Sequence, residues 1–163
     1  MGRDKVAATT AVRELRANKV EFTDHPYEYE EKGGTAASAR ELGVPEHAVV
    51  KTLVMEDEDK RPLVVLMHGD LKVSTRELAR IIGVKAVSPC SPETANRHSG
   101  YIVGGTSPFG TRKKMPVYME ESILELPKVY INGGRRGYLV GIAPQEVVRV
   151  LAPNMVKVGI KET

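Results

Sequence analysis

The period of the apolar positions changes several times along the chain. Over residues 4–18, Val6, Ala7, Ala8, Ala11, Val12 and Leu15 recur close to a helical stripe, and Asp4 stands where an N-cap belongs. VEFTDHPYEYE reads as extended chain interrupted by Pro26, and Gly33-Gly34 breaks it. Thr35 is placed to cap a short helix, AASARELG, which Gly43 ends. VVKTLVM and LVVLMH then read as two strands across the polar turn DEDKRP, predicting a hairpin over residues 49–68. Ser74 and Glu77 have capping-box spacing ahead of LARIIG, closed by Gly83. VKAVS is a short strand and SPETANRHSG a small helix. YIVGGTSPFGTRKKMPVYM predicts strand, loop and strand, and ILELPKVYINGGRRGYLVGI repeats the pattern with NGGRRG as its turn. PQEVVRVLAP is a terminal helix with Pro144 in its first turn, and VKVGI a last short strand.

Strands outnumber helices and do not alternate with them regularly. The pattern predicts an α+β fold around a curved, mixed or antiparallel sheet, barrel-like and flanked by helices. Without an internal repeat, a low-complexity stretch or a linker, residues 1–163 read as one domain.

One position breaks the pattern. Along VVKTLVM, Val49, Lys51, Leu53 and Met55 share one face of the strand, and Val50, Thr52 and Val54 the other. An ammonium group thus shares a face with valine, leucine and methionine. Either the strand lies at an edge and the lysine reaches water along its stem, or the ammonium lines a pocket and meets an anionic ligand there.

Composition narrows the class. The 163 residues are 41% hydrophobic and 28% charged, as in an ordinary globular protein with a real core. No apolar run approaches the ~18 residues of a membrane span, and the first residues contain no apolar signal-peptide core, so a cytoplasmic protein is expected. Cys90 is the only cysteine, which rules out a disulfide within the chain and any multi-cysteine metal site. The net charge of +3 says little, but its distribution says more. Acid collects at Glu28, Glu30 and Glu31 and over residues 56–59. Base collects at Arg112, Lys113 and Lys114 and at Arg135 and Arg136, beside glycine-rich turns. Such turns meet a phosphate backbone or are simply solvated.

The sequence has no phosphate-loop lysine motif, no nucleophile elbow and no zinc-helix motif. His25, His47, His68 and His98 are scattered without ligand spacing, so no metal is expected. Cys90, in SPCSPE, is a free loop thiol unless a helix starting at Ser91-Pro92 activates it. GGTSPFG, residues 104–110, is more informative. Its glycines either expose N–H groups to an anion or a carbonyl oxygen, with Thr106 and Ser107 adding hydroxyls, or simply make a tight turn. Tyr27 and Phe109 are candidates to stack on a base, or are core aromatics.

These pieces resemble the YbaK/ProX family, relatives of the editing domain inserted in bacterial prolyl-tRNA synthetases. The matching stretches are HPYEY, VVKTLVM, SGYIVGGTSPFG, VYINGGRRG and IAPQEVV, in that order and spanning nearly the whole chain. The resemblance implies a curved-sheet α+β fold with a pocket for a mischarged tRNA 3′ end, with no metal and no cofactor. It implies a trans-editing deacylase, most similar to the branch that hydrolyses Cys-tRNA(Pro), in which the substrate's own thiol attacks the ester. By position, Lys51 matches the pocket lysine that holds the terminal adenosine's phosphate or ester region. Gly104 and Gly105 match the glycines that grip the aminoacyl carbonyl, and Tyr27 a pocket tyrosine. Thr106, Ser107, Asn132, Gly133 and Gly134 complete the candidate substrate contacts.

The chain departs from that pattern at Asn132, where relatives usually carry serine, and at Gly33-Gly34, where an aromatic is common. The resemblance therefore speaks for a deacylase more directly than for cysteine. A contrasting reading is a tRNA- or nucleotide-binding module without chemistry, or an adaptor of prolyl-tRNA synthetase. Neither reading calls for a membrane or DNA as partner.

Overall fold

The computed structural model describes residues 9–162. The expected cap Asp4 and the apolar residues Val6, Ala7 and Ala8 lie outside them. Helix α1 runs Thr10–Ala17 with Thr9 as N-cap, its hydroxyl taking the Val12 N–H at 3.0 Å. Then come β1 (Phe22–Pro26), α2 (Gly34–Leu42), β2 (Val49–Asp57), β3 (Pro62–His68), β4 (Leu71–Val73) and α3 (Thr75–Ile82). After them come β5 (Val87–Pro89), α4 (Pro92–Ser99), β6 (Val117–Glu120), β7 (Val129–Arg135), β8 (Tyr138–Ile142), α5 (Pro144–Leu151), β9 (Asn154–Val156) and β10 (Gly159–Lys161).

Local signals account for most of these boundaries. Gly43 and Gly83 end α2 and α3 in the left-handed conformation that glycine adopts without strain. Ser74 caps α3 through the Glu77 N–H, but Glu77 does not reach back to complete a capping box, and its carboxylate pairs with Arg80 instead. In the β2–β3 turn, Asp57 accepts from the N–H groups of Asp59 and Arg61 and from the Arg61 guanidinium, and these contacts hold its carboxyl below the usual range.

Four expectations are corrected. YIV forms no strand: residues 101–103 are loop, pinned where Tyr101 donates its hydroxyl to the Phe109 carbonyl. Ile123, Leu124 and Glu125 of ILEL end a 3-10 turn, Glu121–Glu125, and do not start a strand. VKVGI is divided between β9 and β10 because the buried Glu120 carboxylate takes the N–H groups of Val158 (2.7 Å), between the two strands, and of Gly159 (3.1 Å), the first residue of β10. Thr35 does not cap α2; its hydroxyl reaches Glu46 (2.7 Å) and the Gly69 carbonyl (3.1 Å) instead.

The main sheet has the order β1-β8-β7-β2-β3-β6-β9, with β5 beside β2, and β4 pairs with β10 in a small second sheet. Pairing is mixed: β2 runs antiparallel to β3 and β5 but parallel to β7. The end strands β1 and β9 do not pair with each other, so the sheet is open, not a closed barrel. The expected α+β class with a helix-flanked mixed sheet is what forms.

Strand β2 decides where a ligand can enter. Val49 and Val50 pair with β7, and residues 55–57 pair with β5 on the same edge. Between them, Lys51, Thr52 and Leu53 have β3 on one side and no strand on the other. The two faces of β2 also bury into different clusters. Val50 and Val54 enter the large core with Leu15, Leu66, Phe109, Ile131 and Tyr138. On the opposite face, Val49 packs with Ala39 and Leu139 under α2, and Met55 packs with Val65, Leu78 and Val156 near α3. Lys51 lies on that face and belongs to neither of these two clusters.

Candidate functional site

A cavity of about 490 Å³ opens at this gap, within the size range of small-molecule sites. Its floor is residues 49–53 of β2, one wall is Tyr27, Tyr29 and the start of α2, and the other is Val103, Gly104, Thr106, Asn132 and Arg136. The fold thus gathers five candidate residues from four distant stretches: Tyr27, Lys51, Gly104, Thr106 and Asn132.

The Lys51 side chain is 20% exposed, and its Nζ lies 3.1 Å from the Glu162 carboxylate. Strand β10 brings Glu162 there by pairing Lys161 with Leu71 of β4. Lys51 is therefore neither an edge-strand surface charge nor an unpaired buried one; it is an ammonium at a cleft with an exposed, displaceable partner. Burial raises the Tyr27 pKa above its ordinary value, so this ring enters the cleft as a neutral phenol.

The 101–106 loop is tied to the β7–β8 hairpin. Asn132 Nδ2 donates to the Gly104 carbonyl (3.1 Å), while its Oδ1 takes the N–H groups of Gly134 (2.6 Å) and Arg135 (3.1 Å). Arg136 Nε donates to the Val103 carbonyl (2.9 Å) and its guanidinium lies 5.1 Å from the centre of the Tyr29 ring. Gly104 has φ +86°, and a Cβ there would meet the Tyr29 hydroxyl at 2.5 Å. Only glycine combines that backbone with the close approach.

The other four candidates lie behind the lining. Gly105 gives its N–H to Ile102 (2.9 Å) and packs against the Arg135–Arg136 backbone. Ser107 is fully buried, its hydroxyl taking the Phe109 N–H. Gly133 lies against the Tyr138 ring and accepts a hydrogen bond from Thr9. Gly134 is held by Asn132. Phe109 belongs to the core and cannot stack on a base at the surface.

Tyr29 and Arg136 line the cleft and were not singled out as contacts by sequence reasoning. The signal for Tyr29 was its i, i+2 spacing from Tyr27 in HPYEY, which puts both rings on one side of an extended segment. Arg136 was legible only as part of a basic turn.

No histidine or cysteine is among the lining residues. Ser91 does start α4 beside Cys90, its hydroxyl taking the Thr94 N–H, but the thiol is not activated. Burial and the Glu56 carboxylate push its pKa up to about 11. Beside the carboxylates of Glu30 and Glu31, the cleft offers the cations Lys51 and Arg136, hydroxyls and backbone groups, which suit holding a carbonyl-bearing ligand more than attacking one.

The sequence profile of the aminoacyl-tRNA editing domain matches residues 30–150. The chain belongs to that family. Among relatives of this editing domain is a protein of Enterococcus faecalis named "Putative Cys-tRNA(Pro)/Cys-tRNA(Cys) deacylase EbsC", 27% identical over 155 residues, or 94% of each chain. A proline–tRNA ligase of Brachyspira hyodysenteriae is 24% identical over 86 residues, covering 53% of this chain and 15% of the ligase. The crystal structure of "a putative trans-editing enzyme for prolyl tRNA synthetase" superimposes with a TM-score of 0.79. It is 22% identical and the match covers 96% of this chain and 99% of that one, a likeness of fold. Among the described residues, no helix is long and apolar enough to cross a membrane.

Proposed function

We propose that residues 1–163 act as one trans-editing unit that hydrolyses mischarged tRNA, with Cys-tRNA(Pro) as the substrate. The observation that carries this reading is the cleft itself. In a chain of the editing-domain family, it joins Lys51, Tyr27, Gly104, Thr106 and Asn132 around one cavity that neither histidine nor cysteine lines. Similarity along nearly its whole length to EbsC, whose name carries the Cys-tRNA(Pro) assignment, supports the choice of substrate.

In this mechanism Lys51 exchanges Glu162 for a phosphate or ester oxygen at the tRNA 3′ end. Tyr27, and Arg136 braced on Tyr29, border the terminal nucleoside. The backbone around Gly104 and Thr106 faces the aminoacyl carbonyl. The thiol of the cysteinyl group attacks that carbonyl. The C–S bond forms, the bond from the carbonyl carbon to the ribose oxygen breaks, and the thiol proton ends on the ribose hydroxyl. Water then opens the strained thiolactone to free cysteine. Correct positioning and carbonyl stabilisation can each lower a barrier by several kcal/mol, so no protein nucleophile is needed. Resemblance to part of a proline–tRNA ligase fits work beside a prolyl-tRNA synthetase, in the cytoplasm where translation runs.

A deacylation assay decides the matter. Turnover of Cys-tRNA(Pro) is expected, and none of the Ala-, Ser- and S-methylcysteinyl-tRNA controls, which lack the attacking thiol. Folded protein that turns over none of them refutes the reading, and salt-dependent tRNA binding without deacylation would mark a binding module instead.

A further inference from the structure

Glu56, Cys90 and His98 come together from β2, the β5–α4 connection and the end of α4, away from the lining of the editing cleft. One donor atom from each, a carboxylate oxygen, the thiol sulfur and a ring nitrogen, lies within 4.8 Å of the other two. Sγ of Cys90 is 3.8 Å from Oε2 of Glu56. Around a tetrahedral zinc ion, with Zn–S near 2.3 Å and Zn–O near 2.1 Å, the same pair of atoms would stand about 3.6 Å apart. Lys60 engages the other carboxylate oxygen, Oε1, at 3.4 Å.

His98 supplies the independent observation. The residue is nine-tenths buried, and its Nδ1 is enclosed with no hydrogen-bond partner. Buried polar groups without a partner are rare and point to a missing ion or water. The second histidine cluster, His47, His68 and Asp70, differs in this respect. There His68 contacts the His47 carbonyl through Nδ1 and Ser122 through Nε2, both at 2.7 Å, which leaves it no nitrogen to give.

We propose that Glu56, Cys90 and His98 form a binding site for a thiophilic divalent cation of the zinc class. Thiolate, imidazole and carboxylate suit Zn²⁺, and two anionic ligands neutralise it. Water fills the fourth position. Binding forms the S–metal bond and releases the thiol proton to solvent. The ion fastens α4 to β2 immediately before Gly100, where the chain turns into the loop that carries Gly104. The site therefore braces one wall of the cleft from behind.

The test uses the full chain, stripped with a chelator and titrated with Co²⁺. One equivalent should bind with a thiolate-to-cobalt charge-transfer band, which Zn²⁺ then displaces. Because Cys90 is the only cysteine, that band reports this sulfur alone. His98→Gln and Glu56→Gln should each weaken binding about tenfold or more, and His47→Ala should leave it unchanged. Absence of the band in the folded wild-type chain overturns the proposal without recourse to any variant. So does a band that neither His98→Gln nor Glu56→Gln alters, or uptake that is lost in His47→Ala and kept in His98→Gln.

Discussion

Lys51 shows what one residue can and cannot disclose. Its alternation with Val49 and Leu53 revealed an ammonium on an apolar face but not why it is tolerated. The reason is tertiary: that face of β2 is covered by two separate clusters, and Lys51 sits between them with Glu162 3.1 Å away. If this ammonium anchors an anionic 3′ end, Lys51→Ala should keep the fold and lower kcat/KM by about 10- to 100-fold, the worth of a charge-assisted hydrogen bond. Glu162→Gln should lower KM, since it removes the competing carboxylate and the pair is too exposed to matter to stability. Unaltered kinetics in Lys51→Ala would take the lysine out of the site. The family resemblance makes Asn132 a candidate substrate contact, yet its geometry is that of a clasp between two loops. A sequence does not display a hydrogen bond between residues 28 positions apart.

At the level of elements, local chemistry was legible and long-range pairing was not. The 49–68 hairpin, the helix stops at Gly43 and Gly83 and the Ser74 cap follow from periodicity and turn residues. The split of β2 between β7 and β5, which creates the cleft, depends on contacts some 30 to 80 residues away and leaves no local mark. YIV reads as a strand because its residues favour one, but Ile102 and Val103 stand exposed on a loop where tertiary contacts override that propensity. None of the glycines of NGGRRG lines the cleft. Gly133 lies behind the cleft, and a Cβ there would meet the Tyr138 ring at 2.4 Å. Gly133→Ala should therefore destabilise the chain by about 1–3 kcal/mol through overpacking, as read by urea denaturation. A stability equal to wild type would mean that the hairpin yields freely.

For the whole molecule, pH and salt probe different layers. His68 is fully enclosed, and burial holds its pKa below the ordinary 6.5. The unfolded chain therefore takes up a proton near pH 6.5 that the folded chain resists. This contribution to stability is intact above pH 6.5 and is lost as pH falls below it, ahead of carboxylates such as Asp57 that titrate lower. The urea midpoint should fall between pH 7 and pH 5.5, and less steeply in His68→Gln; equal slopes would refute the assignment. Salt reports the surface. Arg112, Lys113 and Lys114 are exposed on the segment after the 101–110 loop, whereas Arg135 and Arg136 are drawn onto Tyr138 and Tyr29. The two basic clusters, equivalent in the sequence, thus divide into an outer patch and a cleft wall. An outer patch that meets tRNA phosphates contributes counterion release, about 0.7–0.9 to the slope of log K against log salt per phosphate contact. Changing Arg112, Lys113 and Lys114 together to glutamine should flatten that slope by about 2 and weaken binding of all tRNAs alike, leaving single-turnover deacylation of bound substrate intact. Arg136→Gln should do the reverse, barely altering the slope while slowing deacylation, because its guanidinium braces the loop that carries Gly104. If only Arg136→Gln flattens the slope, tRNA enters across the cleft wall, and the outer patch is solvated surface.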